Sequence, residues 1–233
     1  DPRRGARMDT LLYLISGAYI IMVALTITSM YLRRKKHYIL LKGLSSAGFT
    51  AAAAVSALCH GKALLMVMPF FILCFAGDIL LALSDEIDIR LRDPQFTSGV
   101  AAFAVAHVFL IYEFGRMTCC HISPLWVVFS AGLLLYTIYT LTGHNFDYGG
   151  KALPCCVYAF IVGLCGGMGA DIIMSHRSDI NGLMPGIGAV SFMISDFILA
   201  NKYFRIRKRQ WYGAAILIFY YGAMLILALF FPA

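Results

Sequence analysis

What most limits this chain is a succession of apolar runs, each about as long as a bilayer is thick. A helix crossing hydrocarbon needs about 20 mostly apolar residues, with a range of about 17–25. Eight such runs follow one another between charged or Gly/Pro-marked breaks: residues 10–32, 38–59, 62–84, 96–117, 124–141, 151–174, 183–203 and 211–231. Without water, every backbone N–H and C=O must be satisfied within the protein, which leaves helices or closed barrels. A barrel would show alternating segments of about ten residues, and the sequence has none. The expected fold is therefore all-α, an integral membrane protein with eight transmembrane helices.

Composition agrees. The chain is 61% hydrophobic and 13% charged, where a globular domain is roughly half apolar and a quarter charged. No polar stretch is long enough for a soluble domain. The first apolar run also continues too far for a cleavable signal peptide. The leading "DPRRGAR", ahead of Met8, reads as a vector-derived leader, which makes residues 8–233 one transmembrane domain. Basic residues mark the cytosolic side of a membrane protein. Loops after odd-numbered spans, with the helix ends beside them, hold thirteen of them, "RRKK" (Arg33–Lys36) and "RIRKR" (Arg205–Arg209) included. The opposite side holds Lys62, Arg116 and Arg177. Both termini are thus expected on the non-cytosolic side. The +7 net charge follows from this asymmetry and suits anionic headgroups; no motif or fold calls for nucleic acid.

Seven cysteines (Cys59, Cys74, Cys119, Cys120, Cys155, Cys156 and Cys165) show no paired metal-site spacing. Most lie in apolar runs, where Cys behaves as a small hydrophobe, and a bridge involving Cys119 or Cys120 has little to support it. No metal or other cofactor is assigned.

The informative residues are the ionisable ones inside the spans, where such groups are costly and usually kept for function. Asp78 interrupts "LCFAGDILLALSDE", and Asp196 lies at matching depth in "GAVSFMISDFILANKYF". His107 is near the middle of the fourth span, Lys42 about one turn into the second, and Tyr220 and Tyr221 two to three turns into the eighth. At 1.5 Å per residue most of these fall about 6–15 Å from one membrane face, and a shared cavity open to that face accounts for them together. Each also has a structural reading. Asp78 can pair with Lys42, His107 can be a satisfied interior histidine, and the tyrosines can be a packing pair. Lys42 can snorkel to the headgroups. Glu113, Asp85, Glu86, Asp88 and Asp171 lie near helix ends or in loops and read as solvated.

An internal echo joins the two acids. "FAGDILLA" and "MISDFILA" share a small–Asp–apolar pattern four spans apart, which predicts two parallel four-helix halves with one Asp each, as in some transporters.

With "GDILL", "FTSGVAAFAVAH", "GAVSFMISDFILA" and "YYGAM" in this order, the chain resembles the YhhN/lysoplasmalogenase family of eight-span membrane proteins. The Phe96, Gly99, Phe103, His107 spacing and the early Lys42 match its pattern. Leu110, Met224 and Gly43 depart from it, standing where the family often has Tyr, Gln and Pro. The resemblance covers almost the whole chain. It implies hydrolysis of the vinyl ether bond of a lysophospholipid to a fatty aldehyde and a glycerophospho-base. It further implies residence in the cell (inner) membrane of a bacterium or the endoplasmic reticulum of a eukaryote, among membrane lipids, with the oligomeric state left open. Vinyl ether hydrolysis proceeds by protonation at carbon, an oxocarbenium-like cation and water attack, a chemistry close to the two-carboxylate logic of glycoside hydrolysis. On this reading Asp78 and Asp196 form an acid/base pair with His107 orienting water or a carboxyl group. Lys42 takes the phosphate, with Tyr220 and Tyr221 supplying hydroxyls. The rival readings are a proton-coupled carrier, favoured by paired acids and Gly-rich breaks at "GLCGGMGAD" and "NGLMPGIG", and a lipid-binding protein without activity.

Overall fold

The computed structural model describes residues 2–59, 64–84, 94–118, 122–207, 209 and 211–230. They form eight α-helices in chain order: α1 Pro2–Tyr31, α2 Lys35–Cys59, α3 Leu64–Ser84, α4 Pro94–Met117, α5 Pro124–Leu141, α6 Ala152–Ser175, α7 Ile180–Phe204 and α8 Tyr212–Phe230. Seven are long and apolar enough to cross a membrane; in α3 the described apolar stretch, Met68–Ser84, is shorter. The protein is a multi-pass membrane protein, as the apolar runs require. Lys62, the loop at residues 85–93 with Arg90 and Arg92, Cys119, Cys120 and Lys208 lie outside the described residues. The segment ahead of Met8 enters α1.

Local chemistry fixes several helix ends. Ser123 caps α5, accepting from the Leu125 N–H with Pro124 at the first turn, where its missing N–H costs nothing. Asp179 caps α7 by accepting from the Asn181 and Gly182 N–H groups. Arg33, at φ 53°, turns the chain between α1 and α2.

One sequence expectation is corrected. "GLCGGMGAD" reads as a kink or break, yet α6 runs through it without interruption. Its small residues serve close packing instead. A Cβ on Gly163 would lie 2.6 Å from the Ser130 Cα, and one on Gly167 2.7 Å from the Leu125 carbonyl oxygen. Glycine there lets the α5 and α6 backbones touch, which is how helices associate when lipid is as apolar as their side chains. The "NGLMPGIG" stretch likewise lies inside a continuous α7 that contains Pro185.

Six helices close a ring in which α2 packs on α3, α3 on α4, α4 on α6, α6 on α7, α7 on α8, and α8 back on α2. The remaining two are peripheral, α1 against α2 and α8, and α5 against α6. Counting four helices forward maps most of this pattern onto itself: α1–α2, α2–α3, α3–α4 and α4–α6 become α5–α6, α6–α7, α7–α8 and α8–α2. One contact breaks the rule among the described residues. Helix α1 packs on α8, whereas its counterpart α5 does not pack on α4.

Candidate active site

The two buried carboxylates anchor two clusters built on the same plan. Asp78 on α3 takes Lys42 Nζ at 3.3 Å on Oδ1 and accepts from Ser46 and Tyr220 hydroxyls, both at 2.7 Å, on Oδ2. Asp196 on α7 accepts from the Tyr158 hydroxyl at 2.8 Å and faces His107 Nε2 at 3.6 Å. Each acid therefore meets the second helix of its own half (α2 or α6) and the fourth helix of the other half (α8 or α4). Burial makes both arrangements costly unless the charges are compensated.

His107 carries a stereochemical consequence. Its Nδ1 lies 2.8 Å from the Phe103 carbonyl oxygen, which can only accept, so Nδ1 bears a proton. A favourable contact between Nε2 and the Asp196 carboxyl group then needs one further proton lying between them. The 3.6 Å separation is long for a hydrogen bond, and a side-chain shift of well under about 1 Å would bring it within range.

Aromatic rings separate the clusters. Phe192 lies 4.4 Å from the His107 ring and 5.4 Å from that of Tyr220, and Phe103 packs on both Phe192 and Tyr220. Gly77, beside Asp78, makes room for this wall, since a Cβ there would meet the Phe103 ring at 2.6 Å. Behind it Tyr221 donates to the Lys42 carbonyl, and Tyr19 of α1 donates to the Tyr221 carbonyl at 2.7 Å.

A cavity of about 450 Å³ lies between α4, α5, α6 and α7, where α5 stands off α4. That volume is ordinary for a small-molecule site, and its lining is mainly apolar, including Val100, Leu133, Val162 and Leu199. Asp196 and Tyr158 line it; Asp78, Lys42, His107, Tyr220 and Tyr221 do not. Among the described residues both polar contacts of the Asp196 carboxyl fall on Oδ2, which makes Oδ1 the oxygen nearer to hand for a ligand. The sequence expectation of one hollow shared by both acids thus becomes, in the structure, two linked clusters with a cavity on one of them. The reason is packing: α1 fills the first half's groove with side chains such as Tyr19, and α5 leaves the second half's open.

At the end of the cavity near the loop after α5, Lys151 donates to the Thr97 hydroxyl at 2.6 Å and lies 5.1 Å from the Phe96 ring centre. That loop is tied to the end of α7 by the Asp147 N–H to Phe204 carbonyl bond and to the chain beyond it by the Ile206 N–H to Asn145 carbonyl bond. Tyr148 shares a hydrogen bond with Thr140 at 2.6 Å, and burial pushes its phenol above the ordinary value despite that bond. It therefore presents a neutral hydroxyl.

Residues 37–230 match the YhhN family. The chain belongs to the YhhN family. It is 28% identical over 176 residues to the human protein Lysoplasmalogenase TMEM86A, a match spanning 74% of this chain and 70% of that protein. No solved structure matches. Of the three YhhN departures, Leu110 and Met224 are fully buried packing residues, while Gly43 admits Ile79, which a Cβ would meet at 3.1 Å. Sequence reasoning missed Tyr158, Ser46, Thr97 and the cavity position of Lys151. A tyrosine or serine within an apolar run, or a lysine at a span edge, carries no mark that separates it from packing and interface residues.

Proposed function

We propose that this YhhN protein hydrolyses the vinyl ether bond of a lysophospholipid in the cavity that Asp196 lines. The observation supporting this most directly is a carboxyl group, Asp196, that lines a mainly apolar, chain-sized space and is backed by His107 outside it; likeness to a protein named lysoplasmalogenase agrees with it. The proton shared by Asp196 and His107 passes to the vinyl carbon remote from oxygen by way of the Asp196 carboxyl group, the member of the pair that lines the cavity, and leaves an oxocarbenium ion. Water adds to that ion and returns a proton to the pair, and the hemiacetal collapses to a fatty aldehyde and the glycerol alcohol. One water is consumed and the pair ends as it began. Tyr158 orients the Asp196 carboxyl group. Asp78, Lys42, Tyr220 and Tyr221 act from behind the Phe103–Phe192 wall, fixing α2, α3 and α8 and so holding His107 in place.

The carrier reading drew on the paired acids and central histidine together with Gly-rich breaks; of these the breaks fall away, since α6 and α7 are continuous, and the hydrolase reading leads. The test is mass spectrometry of products after incubating purified protein with a lysoplasmalogen and with its saturated-ether analogue. Aldehyde is expected from the vinyl ether alone. Asp196→Asn should lower that release by a factor of about 10²–10⁴, the usual worth of a general acid–base group, in protein that stays folded in detergent. Cleavage of both ethers, or near-normal turnover by Asp196→Asn, would sink the mechanism.

A further inference from the structure

The cavity has a polarity that the reaction centre does not use. Among the described residues lining it, Lys151 is the one cation and Asp196 the one acid. Lys151 is the residue from which α6 departs, and Tyr158, which holds Asp196, lies seven residues further on, about 10 Å along the helix axis. The lining is otherwise mainly apolar, with the hydroxyls of Tyr136 and Tyr148 and the Asn201 amide among it. A ligand matching this space would carry an anion at one end, a short polar spacer and then an alkyl chain.

Lys151 is equipped to bind that anion. Its contacts among the described residues are neutral: the Thr97 hydroxyl and the face of Phe96. Neither cancels the ammonium charge, and both hold its long side chain against the α4 wall, so little conformational freedom is left to lose on binding. Lys42 is occupied differently, being buried against the Asp78 carboxylate and away from the cavity. A phosphate reaching Lys42 would have to displace a buried partner, whereas one reaching Lys151 displaces none.

We propose that Lys151, with Thr97 beside it, is the phosphate-binding group of this cavity, taking the phosphodiester of a single-chain lipid whose glycerol then spans the distance to Asp196. The chain identity rests on the hydrolase reading; the anion site itself rests on the geometry.

The experiment is a binding measurement without turnover, following thermal protection of the purified protein in detergent. Three probes are compared: a saturated-ether lysophosphocholine, the same alkylglycerol without phosphate, and inorganic phosphate. The lysophosphocholine should protect the wild type at lower concentration than the alkylglycerol does. Lys151→Ala should weaken its binding about tenfold or more, the scale of a lost charge-assisted hydrogen bond, and Lys151→Arg should restore most of it. Alkylglycerol binding should be the same in all three proteins. Equal lysophosphocholine binding by wild type and Lys151→Ala would overturn the proposal, as would an equal loss for the alkylglycerol. Protection by inorganic phosphate with none from the lipid would overturn the lipid assignment. Because no aldehyde is read, failure of the hydrolase chemistry would leave this binding pattern intact, and the two ideas fail separately.

Discussion

At the scale of single residues, the protein's expense lies in its two buried acids. Asp78 is 2% exposed and Lys42 7%, and breaking a buried pair by removing one partner costs about 3–5 kcal/mol because the other charge is left alone. Lys42→Met should therefore lower unfolding stability in detergent by about that much, and the double variant Lys42→Met with Asp78→Asn should recover most of the loss. A double variant as unstable as the single would mean that the pair is not what holds α2 to α3. These acids were legible in the sequence because a charge inside an apolar run has no cheap explanation. Their partners were less so. The Lys42–Asp78 pairing stood among the sequence alternatives, but Tyr158 and Ser46 are residue types that hydrocarbon tolerates, and only coordinates show their hydroxyls on a carboxylate.

At the scale of elements, hydropathy located the helices well, because span length is set by the bilayer rather than by neighbours. The α5 bounds coincide with the apolar run at 124–141, and the others shift by a few residues where caps such as Asp179 decide the end, save that α1 begins at Pro2, well ahead of its run at 10–32. Glycine was read less well. Sequence treats it as a breaker, while α6 uses it as an absence of bulk against α5. Gly163→Val and Gly167→Val should each lower stability by about 1–3 kcal/mol, the usual cost of overpacking, measured by thermal unfolding. Gly132→Val, on α5 where a Cβ meets nothing within 4 Å, is the matched control and should leave stability near that of the wild type. Equal effects at all three positions would remove the close-approach account.

At the scale of the whole molecule, the echo between "FAGDILLA" and "MISDFILA" marked two Asp-bearing helices in equivalent places, and the contact pattern extends that equivalence to most helix pairs. Which helices touch across the ring could not be read from hydropathy, since every apolar face looks alike to lipid. Neither half completes its own carboxylate cluster: Asp78 needs Tyr220, and Asp196 needs His107. Expressing residues 1–120 and 121–233 as separate chains should give a complex that co-purifies. Each half alone should run as aggregate on size exclusion in detergent; a monodisperse, stable single half would show that the cross-ring contacts are dispensable.

The place where the repeat fails, α5 standing away from α4, has a kinetic consequence. Leu153 and Val157 of α6 and Phe197 of α7 line the same cavity and are left exposed, which on the proposed hydrolase reading gives a lipid a sideways entry from the surrounding leaflet. Under the proposed function, the rate of aldehyde release should then track the mole fraction of lysoplasmalogen in mixed micelles and not its bulk molarity: adding inert detergent at constant lipid would slow release by surface dilution.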